Sequence, residues 1–406
     1  MDKFASRKAQ APVLVCGKDG MPLANQEVRM TLKNHQFLFG CGAFESVALM
    51  KIQDEEKKAF FADRMEKWLN LFNFGTLPFY WGRYEPVQGQ TEEEVTLKAA
   101  KWLKEKGVTV KGHPLCWHTA CANWLMKYDN KTIMDLQIKR IHRDVAAFKG
   151  VIDMWDVINE VVIMPVFDKY DNAITPLCKE KGRIQLVKEV FDAAKETNPG
   201  ATLLINDFNT SQSYEILIEG LLHAGVPISV IGIQSHQHQG YWGLEKLQAV
   251  LERFSHFGLP IHFTENTLIS GDLMPAHIED LNDWQVPEWP STPEGEERQA
   301  REAAEMYTEL FAHPLVEGIT TWDPADGAWL GAPSGLMRKD SSLKPIYHKL
   351  HSLIHGEWKT DVTLKTDDNG YVMLDGYKGL YEAAADGRKA EFTLSDGAEK
   401  RIILVE

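Results

Sequence analysis

The sequence predicts an α/β protein: a (β/α)8 barrel accompanied by a small β-sandwich module built from the N- and C-terminal segments. Three observations carry that expectation. Apolar strand-like runs alternate with amphipathic helical stretches from about residue 37 to residue 323. The runs number eight, as in a closed barrel, whereas a doubly wound open sheet, the alternative, usually has fewer and would carry a Gly-rich phosphate loop that is missing here. From Trp358 onward the chain changes to short strands between Asp-Gly and Asp-Asn-Gly turns.

Taken in order, residues 11–38 read as a β-hairpin around a turn at 17–22, because Val13 and Val15, then Val28, Met30 and Leu32, alternate at period two. Residues 37–43 are the first barrel strand, with Gly40 and Gly42 marking close backbone packing. The next seven fall at 71–76, 108–113, 151–160, 202–207, 229–236, 260–265 and 318–323. Helical stretches lie between them at 55–69, 93–106, 184–196, 243–257 and 296–311. The last strands are expected at 362–364, 371–374, 391–394 and 402–405. Neither terminal block can bury enough apolar surface alone, so residues 1–34 and 356–406 should pair into one sandwich beside a barrel at 35–355.

At 406 residues the chain suits one large domain of roughly 300 residues with something smaller attached. Its 58 acidic against 44 basic residues give a net charge of −14, which argues against nucleic acid or an anionic membrane as partner and favours a neutral ligand. Five cysteines at irregular spacing are not a disulfide framework; Cys116 and Cys121 could pair or act as a nucleophile, but no base accompanies them. Residues 1–12 hold no apolar signal core, and no stretch approaches the roughly 20 apolar residues of a spanning helix, so the chain reads as soluble.

The chemistry is expected where the strands end. Trp155-Asp156-Val157-Ile158-Asn159-Glu160 closes an apolar run too short for a helix, and its last two residues gain nothing from a core. His113, Asn206 with Asp207, Gln234 with His236 and His238, Glu265, and Trp322 with Asp323 end other strands, so polar groups converge on one rim. A lone Asn or Gln there is more simply a satisfied hydrogen-bonding residue, but so many on one face is not. Two of them are glutamates, and two carboxyl groups across a cleft are the minimum equipment for glycoside hydrolysis. Trp81, Trp117, Trp124, Trp284, Trp289, Trp322 and Trp329 lie in rim segments, where an indole either faces a sugar ring or packs the loops. His236 and His238, with His113 and His118 nearby, raise a zinc site as an alternative; charge tuning of a glutamate explains them as readily, and no metal or cofactor is expected.

Over about residues 35–355 the sequence resembles glycoside hydrolase family 10, the retaining endo-β-1,4-xylanases. The resemblance rests on HPLCWH from His113, WDVINE from Trp155, LLINDFN from Leu203, IGIQSHQH from Ile231, FTEN from Phe263, the Trp322 to Trp329 segment and LKPIY from Leu343. It implies an oligosaccharide or polysaccharide substrate, Glu160 as acid/base and Glu265 as nucleophile. Asn159 would bind the sugar 2-hydroxyl and His236 would hold Glu265, with His113, Trp117, Gln234, Trp322, Trp329, Trp81 and Tyr80 lining the sugar site. It also suggests a secreted or periplasmic location. The sequence departs from the family pattern after the second barrel strand, where Leu77, Pro78 and Tyr80 stand in place of an expected Glu, Asn and Lys, and Ala120 replaces a Gln. Asn266-Thr267 replaces the usual Leu-Asp after the nucleophile, and Asp323 replaces a Gly. An altered distal subsite is therefore expected. A metal-dependent hydrolase and a non-catalytic sugar-binding relative are the alternatives.

Overall fold

In the computed structural model, which describes residues 2–397 and 399–405, the chain opens with β1 (Lys8–Cys16) and β2 (Glu27–His35), and these do not form the expected hairpin. Each pairs only with strands from the C-terminal block; the predicted turn does form, with the Gly17 amide donating to the Met21 carbonyl at 2.9 Å and a Cys16–Pro22 bridge, but β2 does not pair with β1. The cause is the alternation that suggested a hairpin. Val13 and Val15 on one strand and Val28 and Met30 on the other are fully buried, and crossing between two layers lets those apolar faces meet across a sandwich.

Eight parallel strands follow: β3 (Leu38–Gly42), β4 (Phe74–Pro78), β5 (Thr109–His113), β6 (Met154–Asn159), β7 (Thr202–Asp207), β8 (Val230–Gln237), β9 (Ile261–Leu268) and β10 (Val316–Thr321). Pairing of β10 with β3, Ile319 opposite Phe39, closes the (β/α)8 barrel. The five expected helices form at Glu55–Leu69, Glu93–Glu105, Arg183–Thr197, Gly243–Ser255 and Pro293–Ala312. Their starts follow local chemistry: Asp54 accepts from the Lys57 amide, and Thr292 accepts from Gly295 just before a proline that suits the first turn. Helices at Asn130–Phe148 and Gln212–His223 add to the outer ring. Close strand packing needs glycine at one place in particular: a Cβ on Gly112 would lie 2.2 Å from the Trp155 ring, which fills the space between β5 and β6.

The C-terminal block supplies β11 (Asp361–Lys365), β12 (Tyr371–Tyr377), β13 (Gly379–Ala385), β14 (Arg388–Leu394) and β15 (Lys400–Ile403). They complete a three-stranded sheet, β12-β1-β15, and a four-stranded one, β11-β2-β13-β14. Strand β13 was not expected, because its Tyr-Glu-Ala-Ala-Ala alternates small residues rather than apolar with polar ones. The module is fixed to the barrel by aromatic packing: buried Trp358 stacks on Phe311 at 4.4 Å and on Phe39 at 5.8 Å. Arg7 adds hydrogen bonds to the carbonyls of Phe311, His313 and Val316.

No helix among the described residues is long and apolar enough to cross a membrane. Cys116 and Cys121 are both free thiols.

Candidate active site

Glu160 is the first residue after β6 and sits at φ +56°, a left-handed backbone that costs a non-glycine residue energy. Two backbone bonds hold it there: its N–H donates to the Asn206 carbonyl at 2.8 Å, and its own carbonyl accepts from the Met164 amide at 3.2 Å. Trp117 donates from Nε1 to Glu160 Oε2 at 2.9 Å, while Gln234 and Asn159 each donate to Oε1 at 3.3 Å. Glu160 is thus part-exposed, while both of its carboxyl oxygens accept hydrogen bonds. Burial, then repulsion from Glu265, pushes its pKa up to about 8, against the opposing Trp117 hydrogen bond.

Glu265 lies within β9, whose hydrogen bonding continues past it to Leu268. Asn206 donates to Glu265 Oε1 and to Asn159 Oδ1, both at 2.8 Å, and Gln234 donates to the same Asn159 oxygen at 3.1 Å. The two glutamates therefore stand on one continuous amide bridge from β6, β7 and β8. On its other oxygen Glu265 has His236 Nε2 at 3.1 Å, and His113 Nε2 stands 3.8 Å from Oε1. Burial would raise the Glu265 pKa, but His113, His236 and Lys111 outweigh it and hold the carboxyl below its usual value. The same barrel mouth holds one glutamate protonated and the other ionised near neutral pH.

Aromatic rings surround this pair. Tyr80 packs against Trp117 and His113, each at 5.7 Å, and Trp322 packs edge-on against His113 and His236. Trp329 lies 4.4 Å from His236. Phe44, which sequence reasoning passed over, meets both Tyr80 and Trp322. Trp81 is not brought to the glutamates. Its indole donates to Glu85, lies under the Arg140 guanidinium at 4.9 Å and packs edge-on against the partly buried Trp124. Of the departures at the end of β4 and just beyond it, Leu77 is fully buried in the core, whereas Pro78 and Tyr80 alternate to the other side of the chain.

The loop after β9 packs on itself. Trp289, with Ile269, Met274 and Ala332, forms a small apolar cluster against which Trp284 rests, so both indoles serve packing. Lys344, fully buried, pins this loop to the one after β10 by donating to Ser270 Oγ at 2.7 Å, Asp326 Oδ1 at 2.9 Å and the Gly335 carbonyl at 2.8 Å. Asp323 accepts from Ser334 at 2.6 Å and from the Trp329 amide at 3.4 Å, which seats Trp329 beside His236.

The histidines do not gather as ligands. His236 faces Glu265, His118 packs against Phe167 at 4.5 Å, and His238 is buried against Trp289 and Trp329. Among the described residues no three His, Cys, Asp or Glu side chains are placed to hold a metal ion.

Comparison with known proteins agrees with the barrel fold. The model for "Glycosyl hydrolase family 10" matches residues 78–352. An anti-sigma-I factor from Acetivibrio thermocellus is 24% identical over 383 residues, which is 92% of this chain and 44% of that protein. An endo-1,4-beta-xylanase/feruloyl esterase from Xylanibacter ruminicola is 26% identical over 306 residues, 67% of this chain and 40% of that protein. The chain thus spans less than half the length of either relative. Among solved structures, xylanase 10B from Thermotoga petrophila, in complex with xylobiose, superposes with a TM-score of 0.64 at 22% identity, covering 79% of this chain and 95% of that one. With the family model spanning most of the barrel, the chain belongs to glycosyl hydrolase family 10, as a xylanase-like member.

Proposed function

We propose that the protein is a retaining β-glycosidase that cleaves a xylan-like or other β-linked glycan by double displacement. The observation that carries this reading is the pair of glutamates on one amide bridge, held in opposite protonation states by different neighbours. In the first step the Glu265 carboxylate attacks the anomeric carbon, and Glu160 gives its proton to the departing glycosidic oxygen. Once Glu265 is esterified its charge is gone and the repulsion that raises Glu160 falls away. Glu160 then accepts a proton from the attacking water, and hydrolysis of the ester frees Glu265.

The surrounding residues take supporting roles in this reading. Asn159 would bind the 2-hydroxyl of the sugar beside the scissile bond, and His236 would steady Glu265. His113, Gln234, Trp117, Tyr80, Trp322 and Trp329 form the walls. Pro78 and Tyr80 offer a second sugar little hydrogen bonding. Each lost charge-assisted bond is worth roughly 1.5–3 kcal/mol, so losing two lowers specificity for a linear chain by on the order of a hundredfold or more. Short, branched or less polar β-glycosides are the better substrates.

Two measurements test this. Proton NMR of the first-formed product should show retained anomeric configuration, and inversion would reject the mechanism. Comparing kcat/KM for linear xylo-oligosaccharides with that for a short aryl β-glycoside tests the subsite: a large gain from a second xylose would mean other residues rebuild it. The alternative reading, sugar binding without turnover, is tested on the same substrate. Release of the aryl group, abolished by Glu265→Gln, decides between the two.

A further inference from the structure

Beneath the glutamates, in the interior of the barrel, lies a charged group that the proposed mechanism does not use. Lys111 sits two residues before His113 on β5, so both side chains leave the strand on the same face. Its side chain is fully buried, and Nζ lies 2.6 Å from Asp156 Oδ2. The same carboxylate oxygen is 2.7 Å from His113 Nδ1. With Nδ1 held by Asp156, the other ring nitrogen of His113, Nε2, faces Glu265 Oε1 at 3.8 Å. The line of contacts runs from Lys111 through Asp156 and His113 to Glu265.

The pair is poorly furnished for a structural role. Lys111 Nζ makes no well-aligned hydrogen bond to any other group among the described residues, and Asp156 Oδ1 has no partner either. A buried ion pair with unmet hydrogen bonding is a weak stabiliser, and apolar residues of similar size would fill the space at least as well. A carboxylate at this place does have a use, which is to orient His113. Its drawback is a negative charge set beneath a second carboxylate that must itself stay ionised.

We infer that Lys111 is a positioning residue for the nucleophile: its ammonium cancels the charge of Asp156, which can then orient His113 without setting uncompensated negative charge beneath Glu265. This rests on Glu265 being the nucleophile, as proposed above. The other groups facing Glu265 are His236 from β8, Glu160 after β6 and Tyr80 after β4, with Asp323 behind His236. Those facing Asp156 besides Lys111 and His113 are His262 from β9 and Tyr214 from the helix outside β7. None of these is a permanent cation, so the balance depends on Lys111.

The test is the acid limb of the kcat/KM profile on a short aryl β-glycoside, which reports ionisation of the nucleophile. Lys111→Met leaves Asp156 uncompensated and should move that limb up by about one pH unit, a tenfold loss of rate below it. Asp156→Asn leaves the ammonium uncompensated and should move the limb down. The double variant, neutral at both positions, should return it close to wild type and keeps the test available if a single variant does not fold. A packing role predicts shifts of the same sign or none. Either of those outcomes, or a double variant that stays displaced, overturns the inference. Azide rescue of Glu265→Gly, yielding the α-glycosyl azide, is the control: if it fails, the reading of Glu265 is at fault rather than the role of Lys111.

Discussion

Replacing Trp117 by Phe removes one hydrogen bond and leaves most of the ring. The indole Nε1–H is 2.9 Å from Glu160 Oε2 and favours the ionised form of that carboxyl. Hydrogen bonds to a charged group contribute about 1.5–3 kcal/mol, so losing this one should raise the Glu160 pKa by roughly one to two units. In the wild type the basic limb of kcat/KM should lie near pH 8, where Glu160 loses its proton. In Trp117→Phe it should lie well above that. The assay is a pH series on a short aryl β-glycoside, extended to the alkaline end of the enzyme's stability. Because Trp117 also touches Tyr80 and lines the cleft, the height of the profile will fall too, and the position of the limb is the readout. A limb that stays in place or moves toward acid would show that the indole does not tune Glu160.

Three further outcomes follow from the same geometry. Glu160→Gln should be more stable than wild type at alkaline pH. The folded protein holds the Glu160 proton up to about 8 while the unfolded chain releases it near 4.5, so rising pH between those values destabilises the native state. Allowing for the edge open to water, the gap should reach about 3 kcal/mol above pH 8 and close toward pH 4.5 in denaturant titrations. Truncation before Trp358 removes the ring stacked on Phe311 and the partners of β1 and β2. Melting temperature should drop by many degrees, while turnover per folded molecule at low temperature should change only a few-fold. Linear xylo-oligosaccharides should show little gain in kcat/KM from a second xylose, read from initial rates against the aryl glycoside.

Much of the site was legible because barrel geometry puts strand ends on one rim: Glu160, Glu265, Gln234 and His236 could be picked as polar residues ending apolar runs. Lys111 and Asp156 were missed for the converse reason. They lie inside strands, where a charge reads as a boundary or an exception until its partner across the barrel is known. Asn206 was noticed as a strand end but not as the bridge between the glutamates, since that depends on β6, β7 and β9 meeting in space. Trp81 misled because a tryptophan near a strand end is the same letter whether it turns to the cleft or, as here, under Arg140. The pairing of the terminal segments was foreseen, but the hairpin expected of β1 and β2 does not form, because alternation specifies a buried face without naming the strand beside it.

The weave of the β-module has a consequence for synthesis. Strands β1 and β2 emerge from the ribosome before any barrel strand, yet every strand they pair with is translated after β10. The barrel can assemble while the chain is still growing, but the first two strands must wait with open edges until more than three hundred further residues have been made. Their alternating Glu27, Arg29 and Lys33 keep one face of β2 charged during that wait. The two sheets can therefore close only after residues 361–403 have been made, strands that capture partners translated before the barrel. Moving residues 2–36 to follow residue 405 would abolish the delay in synthesis and shorten the sequence separation between the paired strands, and by the second effect such a permuted chain should refold faster from denaturant while keeping the same two sheets.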